Sequence, residues 1–320
     1  MKHKLLFIFF ITGCIKVFAQ PVIKQQTTVG GSSSDVLYAT TLTSDGGVLA
    51  GGYSASKKSG DKSQGGKGAT DYWIVKLDKK GRKEWDKTIG GSSDDIISSV
   101  AQTSDGGYIL GGSSLSGISG DKTEANRGMY DYWIVKLDSQ RNMEWNKTIG
   151  GAYGDNLTTI EQTSDGGYII FGGSSSNISG EKTDNSRGGA DFWLVKITAS
   201  GVIEWDKTIG GNDADYSYAF EKTADGGYLL GGSSESNISG EKTANSKGQA
   251  DFWLVKVDAF GNSVWDKTIG GNSSDEMLSF KQTIDGGYIL GGSSYSRISG
   301  DKTSYNRGFQ DYWVVKLDSS

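Results

Sequence analysis

The stretch "DYWIVKLD" at residues 71–78 returns unchanged at 131–138, and close variants stand at 191–198, 251–258 and 311–318. Five copies at a constant spacing of 60 residues limit the possible folds more than any composition can. A unit repeated along a chain cannot bury its apolar face alone, so it must stack on its neighbours. One unit reads, from residue 84, "EWDKTIGGSSDDIISSVAQTSDGGYILGGSSLSGISGDKTEANRGMYDYWIVKLD". All nine Trp are repeat positions, Trp73, Trp133, Trp193, Trp253 and Trp313 in one column and Trp85, Trp145, Trp205 and Trp265 in another. A "DGG" turn recurs with them at 45–47, 105–107, 165–167, 225–227 and 285–287.

Each unit carries four strand signals and no helical periodicity. In the second unit they are 95–103, 108–114, 131–138 and 143–151. "DGG" makes the tight turn between the first two, with Gly supplying a positive φ. A long polar loop, "LSGISGDKTEANRGMY", separates the second from the third. In the third, Trp133, Val135 and Leu137 face one way while Tyr132, Ile134 and Lys136 face the other, so both faces are expected to be covered. The one irregularity, "YIIFGGSSSNISG" at 168–180, reads as a gain of Phe171 followed by the loss of one residue.

Four antiparallel strands per 60 residues, stacked in series, predict an all-β, five-bladed β-propeller. The strand-like opening 23–31, "IKQQTTVGG", aligns with the fourth strand at the 60-residue offset, with Gln25 where the other copies have Trp. The last unit ends after its third strand, so the ring is expected to close by the N-terminal strand pairing in the last blade, which leaves no long open edge. The segment "TSDGGYILGGSS" resembles the turn and second strand of WD-repeat blades, and "DYWIVKLDKKGRKEWDKTIGG" (71–91) resembles the tryptophan-docking repeat of quinoprotein-like propellers. The whole is similar to the Gly-rich propeller repeats of secreted Bacteroidetes proteins. That resemblance spans nearly all of residues 23–318 and implies a fold rather than an activity.

The first residues, "MKHKLLFIFFITGCIKVFAQ", are expected to be a targeting segment, basic at Lys2, His3 and Lys4 and apolar from Leu5 to Ile11. Cleavage after Ala19 leaves one domain, 20–320. "ITGC" at 11–14 also resembles a lipoprotein box, which would instead make Cys14 a lipid anchor. Either route predicts a secreted or cell-surface bacterial protein. Losing residues 1–19 removes Lys2, Lys4 and Lys16 and no acid, leaving 30 Lys and Arg against 38 acids, a net charge of −8. An acidic chain without a basic patch is a poor nucleic-acid binder. The same cut removes His3 and Cys14, the only His and the only Cys. The mature chain then has no disulfide, no Cys nucleophile, no His base and no His or Cys metal ligand.

Two repeated constellations remain as candidates. Asp35, Asp95, Asp155, Asp215 and Asp275 open the innermost strands. They could ring the channel mouth and bind a cation, or each could accept N–H bonds in its own turn. The long loops carry Lys62, Lys122, Lys182, Lys242 and Lys302 after an acid, followed by Lys67, Arg127, Arg187, Lys247 and Arg307. Such groups beside aromatic rings suit sugar hydroxyls, or they could pair with one another over the blade. An Asp-x-Asn-x-Asp-Gly calcium loop with Gly128 as its glycine would need a ligand where Arg127 stands, and all five copies have Lys or Arg there, so no metal is expected in this loop. The "DGG" acids are expected to be turn residues, the Trp inter-blade packing, and Asp131 a cap at strand entry.

Catalysis needs distinct groups in distinct roles, whereas here each polar candidate is copied five times. The chain is therefore expected to be a non-catalytic binding or scaffold module without cofactor, whose partner is a glycan or protein at the cell surface; a lectin with one site per blade is the sharper form. A glycoside hydrolase would need two carboxylates in unlike environments, and Asp213 and Glu276 are the best blade-specific acids for breaking the symmetry.

Overall fold

The computed structural model describes residue 23 and residues 25–319, so the expected targeting segment 1–19, with Cys14, lies outside the described residues. Among the described residues there is no helix, and no helix long and apolar enough to cross a membrane. Five antiparallel sheets follow one another along the chain. The first holds β1 (Asp35–Leu42), β2 (Val48–Ser54), β3 (Asp71–Leu77) and β4 (Lys83–Ile89), in that spatial order. The second holds β5 (Asp95–Gln102), β6 (Tyr108–Ser114), β7 (Asp131–Leu137) and β8 (Met143–Ile149). The third holds β9 (Asp155–Gln162), β10 (Tyr168–Ser174), β11 (Asp191–Ile197) and β12 (Ile203–Ile209). The fourth holds β13 (Asp215–Lys222), β14 (Tyr228–Ser234), β15 (Asp251–Val257) and β16 (Ser263–Ile269). The fifth has three strands, β17 (Asp275–Gln282), β18 (Tyr288–Ser294) and β19 (Asp311–Leu317).

The strand pattern follows from local chemistry. Each "DGG" turn puts its first glycine at φ between +79° and +85°, as at Gly46 and Gly166, a region a Cβ disfavours. The Asp accepts from the second glycine's N–H and from the preceding Thr hydroxyl, as Asp45 does from Gly47 and Thr43. The third strands are apolar on both faces, and those of the three middle sheets sit between two blades. Trp133, Val135 and Leu137 pack in one core with Tyr72 and Ile74 of the preceding sheet, while Tyr132 and Ile134 pack in the next with Trp193 and Val195. Four aromatic contacts join the blades: Tyr72 on Trp133, Tyr132 on Trp193, Phe192 on Trp253 and Phe252 on Trp313, with ring centroids 4.8, 4.9, 5.0 and 5.0 Å apart. Such pairs add about 1 kcal/mol each beyond area burial. The chain also stitches blades through its backbone: Asp155 N–H donates to Tyr130 C=O and Asp215 N–H to Ala190 C=O, each at 2.6 Å.

Two sequence expectations need correction. The segment at 168–180 contains no insertion. Ser174 pairs with Asp191 just as Ser114 pairs with Asp131, so Phe171 simply replaces the glycine of the other sheets. Its ring meets Phe192 edge-on at 5.3 Å and Phe220 at 5.9 Å. Space comes from the next innermost strand, where Ser217 stands in the column of Ile97, Leu157 and Met277.

The second correction concerns the clasp. The fifth sheet gains no fourth strand, and residues 25–31 are not in a strand. They lie beside the first sheet, in the place that 85–91 takes beside the second. Gly30 C=O accepts from Asp61 N–H as Gly90 C=O does from Asp121, and Thr27 Oγ1 donates to Gly81 C=O. The fourth strand of a preceding blade is thus docked on the first sheet without a partner edge, and the fifth sheet does not pack on the first as successive sheets pack on each other.

Candidate functional site

The Lys column of the long loops is buried. Each Nζ sits over the Trp ring of its own sheet, 5.2 Å from the centroid for Lys182 and Trp193 and 5.7 Å for Lys302 and Trp313. Lys62, Lys122, Lys182 and Lys242 each donate to a fourth-strand hydroxyl, Thr88, Thr148, Thr208 and Thr268. Burial lowers the Lys122, Lys182 and Lys242 ammonium groups to about 8. The cations further along the loop reach forward one blade: Lys67 to Asp121, Arg127 to Glu181, Arg187 to Glu241 and Lys247 to Asp301. Arg307 has a backbone N–H bonded to Asp311.

The Asp column closes turns. Asp95, Asp155, Asp215 and Asp275 are fully buried, and Oδ2 of each accepts from a glycine N–H at 2.6–2.7 Å and from a Ser hydroxyl; Asp35, half-buried, makes the same two bonds. A second buried acid, the one opening each third strand, lies across the blade boundary. Asp131 Oδ2 accepts from Arg127 N–H, and its Oδ1 accepts no hydrogen bond among the described residues. Burial, and then the charge of the neighbouring Asp155, raises Asp131 to about 6; burial and Asp215 raise Asp191 to about 7. No group of three or more His, Cys, Asp or Glu suited to a metal occurs among the described residues.

Sequence reasoning missed three features. The strand-three lysines are tied to the "DGG" acids: Lys136 Nζ lies 2.9 Å from Asp105 and 2.7 Å from Glu144, and Lys76, Lys196 and Lys256 repeat the first pairing. Ile118, Ile178, Ile238 and Ile298 are exposed, one in each of the last four long loops, with Lys58 in the first, a column already visible in "ISG". Lastly, each innermost strand has a bulge at its fourth residue, as between Leu37 and Ala39 or Ser217 and Ala219. The bulge residues differ from blade to blade: Tyr38, Ser98, Thr158, Tyr218 and Leu278.

Asp213 and Glu276, two of the acids that break the repeat, lie near this inner edge. Tyr216 and Tyr218 on β13 are exposed. Burial of the phenol, then the charge of Glu276 on β17, raises the Tyr218 hydroxyl. Tyr216 is raised by partial burial and then by Glu235 and Asp213, and Glu235 in turn by burial and Asp213. Two aromatic faces beside three carboxyl groups make a polar, aromatic patch across the fourth and fifth sheets.

No family model and no curated protein matches this chain. Among solved structures it is similar to a protein of unknown function from Dyadobacter fermentans, at 9% identity over 91% of this chain and 82% of that one, with a TM-score of 0.52. A protein of unknown function from Bacteroides caccae aligns at 10% identity over 88% and 78%, with a TM-score of 0.44. A Synechocystis apocarotenoid oxygenase aligns at 11% identity over 83% and 57%, with a TM-score of 0.44. At 9% identity the likeness to the Dyadobacter protein concerns the fold alone.

Proposed function

We propose that this chain is a non-catalytic, extracytoplasmic binding module of the propeller type that holds its ligand at the inner edge of the fourth and fifth sheets. One observation carries this reading. The polar groups repeated in every blade bond mostly within the fold, whereas residues that vary between blades place the exposed Tyr216 and Tyr218 and the half-buried Glu276 on neighbouring innermost strands. A repeat can vary freely only where packing does not dictate the residue, and recognition is what exploits such freedom. Tyrosine faces with nearby carboxylate acceptors suit the apolar face and hydroxyl edge of a sugar ring, so the ligand class is carbohydrate. This is one asymmetric site in place of one site per blade. The leader would export the chain, either cleaved after Ala19 or lipidated on Cys14.

A glycan array tests the reading with the protein and with Tyr216→Ala, Tyr218→Ala and Glu276→Gln. Selective binding that each substitution weakens by about tenfold, roughly 1.4 kcal/mol, supports the site. Binding that survives all three, or is lost instead on replacing Ile178 and Ile238, moves the ligand to the loop face. A blank array from folded protein removes the carbohydrate assignment.

A further inference from the structure

The two outermost faces of the molecule are the unmatched halves of one interface that the molecule already makes four times. On the fifth sheet Tyr312 is 95% exposed and Val314 64% exposed, while Tyr72, Tyr132, Phe192, Phe252 and their Ile or Leu neighbours two residues on are fully buried. On the first sheet Leu37 is 61% exposed, while Ile97, Leu157 and Met277 in the same column are buried. An apolar cavity of about 210 Å³ beside Leu37, Val36, Ala50, Val75 and Trp73 marks where a preceding blade would seat.

The halves fit at three points. Every internal joint sets an aromatic ring of one sheet on the Trp of the next, so the partner of Tyr312 is a Trp73. Three of the four internal joints also set a glycine opposite a large residue, the one at Phe171 and Ser217 being reversed: a Cβ on Gly111 would stand 2.7 Å from Ile160 and 3.1 Å from Leu157, and one on Gly231 2.5 Å from Met277. A Cβ on Gly291 would meet nothing closer than Ser279 Oγ at 3.6 Å, which leaves the room that Leu37 fills by the same spacing. The forward ion pairs of the long loops run over 54 residues, from Arg127 to Glu181 and from Arg187 to Glu241. Continued once more, the series joins Arg307, exposed and with no side-chain partner among the described residues, to the exposed Asp61. The docked segment 25–29 adds a fourth, backbone element. By the register of β3 with β4, Val29 faces Tyr312 and Thr27 faces Val314.

We propose that the occupant of these faces is a second copy of this chain, docked head to tail. The fifth sheet of one copy packs on the first sheet of the next, and residues 25–29 of that next copy become its missing fourth strand. A second copy is favoured over closure within one chain because the joints fix the curvature. Four contacts with ring centroids within 0.2 Å of one another, each backed by buried side chains, join the successive sheets, and with all four joints made the fifth sheet does not pack on the first. Closing the ring within a chain would require the joints to shift, whereas a second copy leaves them as they are. The interface is heterologous, so it builds closed rings or open filaments according to its rotation.

The test is disulfide trapping in the purified protein carrying Cys14→Ser, Thr27→Cys and Val314→Cys. Oxidation is expected to give a ladder of covalent multimers on a non-reducing gel. A single compact monomer band would show closure within one chain and overturn the proposal, as would the absence of any cross-link. A second measurement does not depend on the cysteines. Sedimentation of Arg307→Glu alone, and of Asp61→Arg alone, is expected to show self-association weakened by about tenfold, and an equimolar mixture of the two to recover it. If the mixture stays as weak as its components while the two substitutions in one chain restore the wild-type behaviour, the contact is internal and the proposal fails.

Discussion

Phe171 and Ser217 exchange the sizes that the other joints assign. Elsewhere a glycine of the second strand faces Ile97, Leu157 or Met277 of the next sheet; here the large residue is on the second strand and the small one opposite. Phe171→Gly removes a fully buried ring in contact with Phe192 and Phe220. A truncation of that kind costs about 3–5 kcal/mol, and a strand glycine about 1 kcal/mol more. Ser217→Leu against an intact Phe171 overpacks the joint, at about 1–3 kcal/mol. The double variant rebuilds the glycine–leucine pair of Gly111 and Leu157, so it should recover about 2–3 kcal/mol relative to the sum of the singles. Denaturant unfolding followed by tryptophan fluorescence measures each ΔΔG. Amide exchange in β10 and β13 keeps the result interpretable if the repeat array unfolds in parts. Additive effects within about 0.5 kcal/mol would refute the claim that these two side chains share one space.

The buried acids give an unusual acid limb. Asp131, Asp191 and Asp251 have folded values of about 6, 7 and 6, above the ordinary 3.8, so their contribution is full below pH 4 and is lost as pH rises toward 6–7. Asp191→Asn should therefore raise stability at pH 8 by about 1–2 kcal/mol, after allowance for solvent screening, and leave it unchanged at pH 4; equal effects at both would contradict this. The buried lysines act at the other end. Lys122, Lys182 and Lys242 titrate near 8 in the fold and near 10.5 when unfolded, so the folded state binds fewer protons and stability should climb between pH 8 and 10. Replacing all three by Met should flatten that climb in denaturation midpoints taken across the range. Gly106 has φ +81°, and an added Cβ there would approach only Ser139, at 3.8 Å. Gly106→Ala should therefore cost about 1–2 kcal/mol through backbone strain alone, while Gly117→Ala, where φ is ordinary and no neighbour lies within 4 Å, should be near neutral by the same measurement.

Much of this molecule is set by local rules written five times. The 60-residue period, the alternation in "DYWIVKLD" and the positive-φ glycine after each "DGG" Asp determine the strands, their order and the two covered faces of the third strand, because each depends on residues close in sequence. Tertiary structure decided the rest. A loop lysine looks like a surface ligand group until it is folded back over its own Trp, because whether a cation meets water or an indole depends on which strands the loop packs against rather than on its neighbours in sequence. The Phe171 replacement looks like an insertion until its pairing with the adjacent strands fixes its register. The inner-edge tyrosines belong with Glu276 only because two innermost strands, one repeat apart, lie side by side. Ring closure could not be read from the repeat for the same reason. The sequence specifies each joint, whereas the accumulated angle of four joints decides whether the last face meets the first or is left for another copy.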